Sequence, residues 1–168
     1  MIFFTSDTHF GHSKIIEYCN RPFSSIEAMD EILIENWNKI ITKKDTVYHL
    51  GDFAFRNTDK YIKRLNGQIH LILGHHDRNK KGQEYFKSLS QIKILKSVIP
   101  KIILCHYAMR TWPYSHDGAW HLYGHSHGRM KEEGLSFDVG VDCWSFAPIS
   151  YDLVKNKMEF LKSIIESS

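Results

Sequence analysis

Apolar and polar positions along this chain follow two rhythms, one before residue 90 and one after it. In the first part, short apolar runs alternate with stretches whose apolar positions recur every three or four residues. The runs at 2–6, 45–50 and 68–73 are rich in β-branched and aromatic residues and predict strands. Between them, 14–19 predicts a short helix. Ile26, Met29, Leu33, Trp37 and Ile40 then recur at helical spacing and mark the buried face of a longer one. Ser24 and Glu27 have the spacing of a capping box at its start. A helix over 58–65 stops at Asn66-Gly67, and 83–89 reads as another short helix.

After residue 90 the strands come in succession, at 92–99, 101–105, 120–123 and 135–141, joined by loops. A last helix from 151 to 165 places Val154, Met158, Leu161 and Ile165 on one face. Alternation first and consecutive strands later predict an α/β fold of two packed mixed β-sheets flanked by helices. Linkers, repeats and low-complexity segments are missing, which predicts a single domain over residues 1–168.

Composition narrows the function without naming it. With 42% hydrophobic residues the chain can build a core, and a net charge of +3 is too small to indicate a nucleic-acid partner by itself. No stretch approaches the roughly 18 apolar residues of a membrane span, and the N-terminus lacks a basic leader. A soluble, cytoplasmic protein is expected. Cys19, Cys105 and Cys143 include no Cys-x-x-Cys pair, which argues against a disulfide framework or a zinc knuckle. Cys105 reads as a small buried strand residue.

Five acid and histidine clusters carry the candidate chemistry: Asp7-Thr8-His9, Gly51-Asp52, Gly74-His75-His76-Asp77, Cys105-His106 and Gly124-His125-Ser126-His127. Four follow an apolar run, and the last closes a shorter one. Strand ends on one edge of an α/β sheet converge, so residues from 7 to 127 can meet at one point. Asp7 and His9 can face one ion if the backbone bends after the strand. Asp52 can bridge two ions, His125 and His127 can serve one each, and His106 adds another imidazole. Mixed carboxylate and imidazole ligation suits Mn²⁺, Fe or Zn²⁺ better than Ca²⁺ or Mg²⁺.

In this order the motifs resemble those of the calcineurin-like metallophosphoesterases: Asp-x-His, Gly-Asp, Gly-Asn-His-(Asp/Glu), His and Gly-His-x-His. The small single-domain enzymes of bacteria and phages are the nearest likeness. The resemblance implies a four-layer sandwich and two divalent transition-metal ions, Mn foremost, with Fe, Zn or Ni as alternatives. Asp7, His9, Asp52 and His127 would hold the first ion; Asp52, His106, His125 and the residue at 75 would hold the second. The family has Asn where this chain has His75, whose ring either still contacts metal, cannot reach it, or marks a substitution that retunes the site. The implied reaction is hydrolysis of a phosphodiester or phosphomonoester by a dimetal-bridging hydroxide. His76 and Asp77 would be its catalytic pair, His76 protonating the leaving oxygen and Asp77 orienting His76 or fixing the turn.

Arg78, His12 and Arg110 are the expected substrate contacts, with Arg21 another that can line the cleft. In the loop of 108–119, Trp112 and Tyr114 either stack on a nucleobase or pack the loop down. The expected partner is a small phosphorylated molecule, with nucleotides included; nucleic acid is not favoured, and no membrane is involved. Two rival readings stay open: a catalytically impaired scaffold, and a nuclease.

Overall fold

The computed structural model describes residues 1–77 and 81–167. Its first sheet is built from β1 (Ile2–Thr5), β2 (Thr46–His49), β3 (Gln68–Ile72) and β4 (Ser88–Ser90), mutually parallel, with β9 (Ile149–Ser150) antiparallel against β1. The order across the sheet is β4-β3-β2-β1-β9. The pleat sends alternate residues to opposite faces. Phe3, Val47, Ile69 and Leu71 face a helical layer of α1 (Lys14–Tyr18), α2 (Ile26–Ile40) and α3 (Thr58–Ile62), where they meet Met29, Leu33, Trp37 and Tyr61. Phe4, Leu50 and Ile72 face the second sheet.

That second sheet runs β5-β6-β7-β8, from β5 (Ile92–Leu95), β6 (Ile102–Cys105), β7 (Trp120–Tyr123) and β8 (Ser136–Asp138). Its last three strands are parallel and β5 is antiparallel. Ile102, Leu104, Leu122 and Phe137 pack toward the first sheet, joined by Val154, Met158 and Leu161 of α4 (Tyr151–Glu166). The loop of 107–119 covers the other face. Its Met109 amide donates to His121 Nε2 (3.1 Å), and the Trp112 ring lies 5.4 Å from that of His121. The Trp112 indole N–H is taken by the Ala119 carbonyl at 2.8 Å. The two-sheet α/β architecture expected from the chain is therefore present, with this loop as its outermost layer.

Several local expectations are corrected. Ser25, not Ser24, caps α2: its backbone is extended and its Oγ accepts from the Ala28 amide at 3.1 Å. Of the helix expected over 83–89, a 3₁₀ turn at Gln83–Tyr85 remains, and Ser88–Ser90 becomes a strand. The exposed edge of β3 takes it up through ladder bonds, Lys87 N to Ile69 O and Leu73 N to Ser90 O (both 2.8 Å), and these outweigh a weak helical preference. The strand expected over 135–141 ends at Asp138, whose Oδ1 accepts from the Gly140 amide (2.7 Å) and turns the chain. Ile40 and Ile165, expected on buried helix faces, are exposed. Among the described residues no helix is long and apolar enough to cross a membrane.

Candidate metal centre

The parallel strands β1, β2, β3, β6 and β7 all end on one edge, and each is followed at once by one of the five clusters. The turns there are sharp. Asp7 (φ 58°), His9 (50°), Asp52 (54°), His125 (66°) and His127 (49°) all adopt the left-handed conformation. Such residues cost about 1–3 kcal/mol each and persist only where their surroundings hold them. Hydrogen bonds of 3.0 Å between loops do so here: Asp7 N to Gly51 O, His9 N to Asp52 O, and Gly124 N to His106 O. Gly51 is required by close approach, because a Cβ there would lie 2.6 Å from His106 Nδ1.

Among the described residues, three buried ligand atoms in this space have no hydrogen-bond partner: Asp7 Oδ1, His9 Nε2 and His106 Nε2. Asp52 Oδ2 stands between the two imidazoles, 3.6 Å from each. The other atoms of these side chains are engaged. Asp7 Oδ2 accepts from the His125 amide and Asp52 Oδ1 from the His76 amide, both at 2.8 Å. His106 Nδ1 donates to the Leu50 carbonyl (2.7 Å), which leaves a bare lone pair on Nε2. Burial pushes Asp7 well above the ordinary carboxylate range and His9 well below the ordinary imidazole range. It lowers His106 as well. Leaving a buried polar group unpaired costs about 1–3 kcal/mol. A cluster of such atoms, acids and neutral imidazoles together, fits divalent cations. Asp7, His9 and His127 lie within 4.8 Å of one another through their ligand atoms, and so do Asp52, His106 and His125.

His76 stands at the rim, half-buried, with its ring 5.4 Å from His9 and 5.7 Å from His12. Its ligand atom also lies within 4.8 Å of those of His9 and Asp52. His12 shares the rim, stacked on Phe55 at 4.6 Å. Asp77 is buried, and its carboxylate accepts from three amides: Asp52 (2.6 Å), Gly74 (2.8 Å) and Phe53 (3.0 Å). These bonds tie its own turn to the one that follows β2. His75 is exposed, edge-on to His76, and belongs to none of the candidate ion-holding groups among the described residues. Arg110 is exposed beside Ala108, Met109 and Met130. Arg78 lies outside the described residues. Trp112 packs its loop down, and Tyr114 lies under the Lys101 ammonium at 3.6 Å.

Three residues escaped the sequence reading in these roles. Arg21, expected to line the cleft, is buried beneath the first loop. Its guanidinium donates to the Asp7 carbonyl (2.7 Å), to the Thr8 carbonyl (3.1 Å) and to both oxygens of Asp142 (2.8 Å each). Asp142 Oδ2 in turn accepts from His127 Nδ1 at 2.7 Å. Its sole sequence signal is an acid two residues after Gly140, too common to single out. His49, buried in β2, accepts from the Gly51 amide through Nδ1 (3.2 Å) and donates through Nε2 to Thr8 Oγ1 (3.0 Å). Burial lowers it to about 3, so it stays neutral and ties the first two loops together.

A family model for the calcineurin-like phosphoesterase superfamily domain matches residues 1–137. The uncharacterized protein MJ1445 of Methanocaldococcus jannaschii is 34% identical over 170 residues, which cover 94% of this chain and 91% of that one. The gene 66 protein of Mycobacterium phage L5 is 26% identical over 179 residues, covering 84% and 86%. Among solved structures, the protein of unknown function AQ665 from Aquifex aeolicus is 27% identical with a TM-score of 0.75, over 93% of this chain and 98% of that one.

Proposed function

The chain belongs to the calcineurin-like phosphoesterase superfamily, and on that premise we propose that it is a two-metal hydrolase of a small phosphate ester. One observation carries the proposal: among the described residues, His9 Nε2 and His106 Nε2 stand unpartnered on either side of Asp52 Oδ2, with the equally unpartnered Asp7 Oδ1 3.9 Å from His9 Nε2. Asp7, His9, Asp52 and His127 would hold one ion, and Asp52, His106 and His125 the other. Manganese is the proposed metal, since the donors mix carboxylate with imidazole. Such ions supply charge against the phosphoryl oxygens and lower the pKa of water. His76, at the rim beside His9 and His12, donates the proton to the leaving oxygen. His12 contacts the phosphate. The proposed substrate is a small anionic ester, nucleotides included; a net charge of +3 is compatible with it. A scaffold that holds no metal would bear the cost of the unpartnered atoms for no return.

Hydrolysis of bis-p-nitrophenyl phosphate and p-nitrophenyl phosphate tests this directly, with Mn²⁺ and with chelator. The expected result is turnover that disappears with chelator and returns with Mn²⁺, the preferred reporter telling diester from monoester. Failure of the metal-loaded protein to turn over either one would count against the reading.

Ion uptake is expected to release protons. Burial opposes charge on His127, but the hydrogen bonds to Asp142 and Cys19 outweigh it and push the ring up to about 10. Below that pH the metal-free ring carries two protons, and with Nδ1 held by Asp142 an ion must displace the one on Nε2. Apparent affinity for Mn²⁺ should thus rise as pH rises, about tenfold per unit for each proton displaced, from about pH 6 to about pH 9. Titration calorimetry in two buffers of different ionisation enthalpy counts those protons; pH-independent binding would contradict the expectation.

At position 75 the expected effect is small. His75→Asn should keep two ions per chain and change turnover by less than the roughly tenfold that marks an outer partner of a metal ligand. Metal analysis beside the same assay decides it, and the loss of one ion would make His75 a ligand.

A further inference from the structure

We infer that Asp142 and Arg21 are positioning residues for one of the two ions, the one held by Asp7, His9 and His127, and not for the other. The inference rests on the two-metal reading. Asp142 lies beyond the stretch matched by the family, which ends at residue 137. Its carboxylate nevertheless reaches a ligand directly. Oδ2 accepts from His127 Nδ1 at 2.7 Å, which leaves Nε2 as the ring's ligand atom for the group with Asp7 and His9. The His127 and His9 rings stack at 5.3 Å, which fixes the same orientation from the other side.

Arg21 carries the arrangement to the next ligand. Its side chain is fully buried, and it spans Asp142 with Nε and one terminal nitrogen, a two-point grip that a lysine cannot make. The same guanidinium holds the carbonyls of Asp7 and Thr8, in the two successive peptides that lead from the left-handed Asp7 to the left-handed His9. One ion pair, between residues 121 positions apart, thereby sets the Asp7 backbone and the His127 ring together. The second group is held differently. The His106 ring is oriented by the Leu50 carbonyl, and His125 is exposed against Tyr107. Among the described residues, neither ring is hydrogen-bonded to a carboxylate.

The test is calorimetric titration of Mn²⁺ into metal-free protein, with folding checked by circular dichroism. In a His125→Ala background, where the ion near Asp7 remains, Asp142→Asn should weaken binding by about 10–100-fold. In a His9→Ala background, where the ion near His106 remains, the same substitution should leave binding unchanged. Equal weakening in both backgrounds, or none in either, would overturn the inference, because a merely structural carboxylate would not choose between them. Should Asp142→Asn fail to fold, Arg21→Lys carries the same test, since it keeps the buried charge and loses the two-point grip. Two ions in the wild type with no selective loss in the variant would sink the inference alone. Fewer than two in the wild type would overturn the two-metal reading and the inference with it.

Discussion

Asp52→Asn is expected to abolish loading of both ions and to cut turnover by more than about 10³-fold, the upper end for loss of one preorganised charged group. The substitution is chosen to spare the fold. An amide oxygen at Oδ1 can still accept from the His76 amide, now at 2.8 Å. At Oδ2, however, an NH₂ group would face His9 Nε2 and His106 Nε2, each 3.6 Å away, and would fill their unpartnered lone pairs with hydrogen-bond donors. No other described carboxylate lies between the two imidazoles. Metal analysis after dialysis against Mn²⁺, beside the reporter assay, measures both losses. Retention of two ions would show that Asp52 is not shared between the sites.

The second large effect is expected from His76→Ala: turnover lower by about 10²–10⁴-fold, the usual worth of a positioned proton donor, with two ions still bound. Removing the imidazole leaves the backbone N–H of residue 76 in place on Asp52 Oδ1, so the support for Asp52 survives. The loss should also depend on the ester. A leaving group that departs readily as an anion needs little protonation, so p-nitrophenyl esters should lose less than phenyl or alkyl esters. A loss of equal size across that series would assign His76 to phosphate binding instead. A loss of metal would place it among the ligands, where its distance to His9 and Asp52 also allows it to stand.

The legible part of the centre has a local cause. Asp7, His9, Asp52, His106, His125 and His127 each follow a short apolar run, and such runs in parallel strands bring their ends to one edge. The illegible part was long-range. Arg21 and Asp142 are ordinary charged residues in the sequence, and they acquire meaning when the last loop folds onto the first. Asp77 could be placed in the right cluster but not given a task, because its three amide partners come from two different loops. The strand Ser88–Ser90 stayed hidden because three residues carry too little periodicity, and the edge of β3 decides it.

What the chain by itself determined was the longer elements, the two-sheet class and the donor types offered to a metal. Those follow from side-chain periodicity and from residue chemistry, both local properties. What tertiary structure alone decided was which donor atoms remain unpaired. Asp7 Oδ1, His9 Nε2 and His106 Nε2 face one space because loops from five strands close on one another through backbone hydrogen bonds, with ligand after ligand held in a left-handed turn. No short window of sequence contains that information, since each turn is held by a loop far away in the chain.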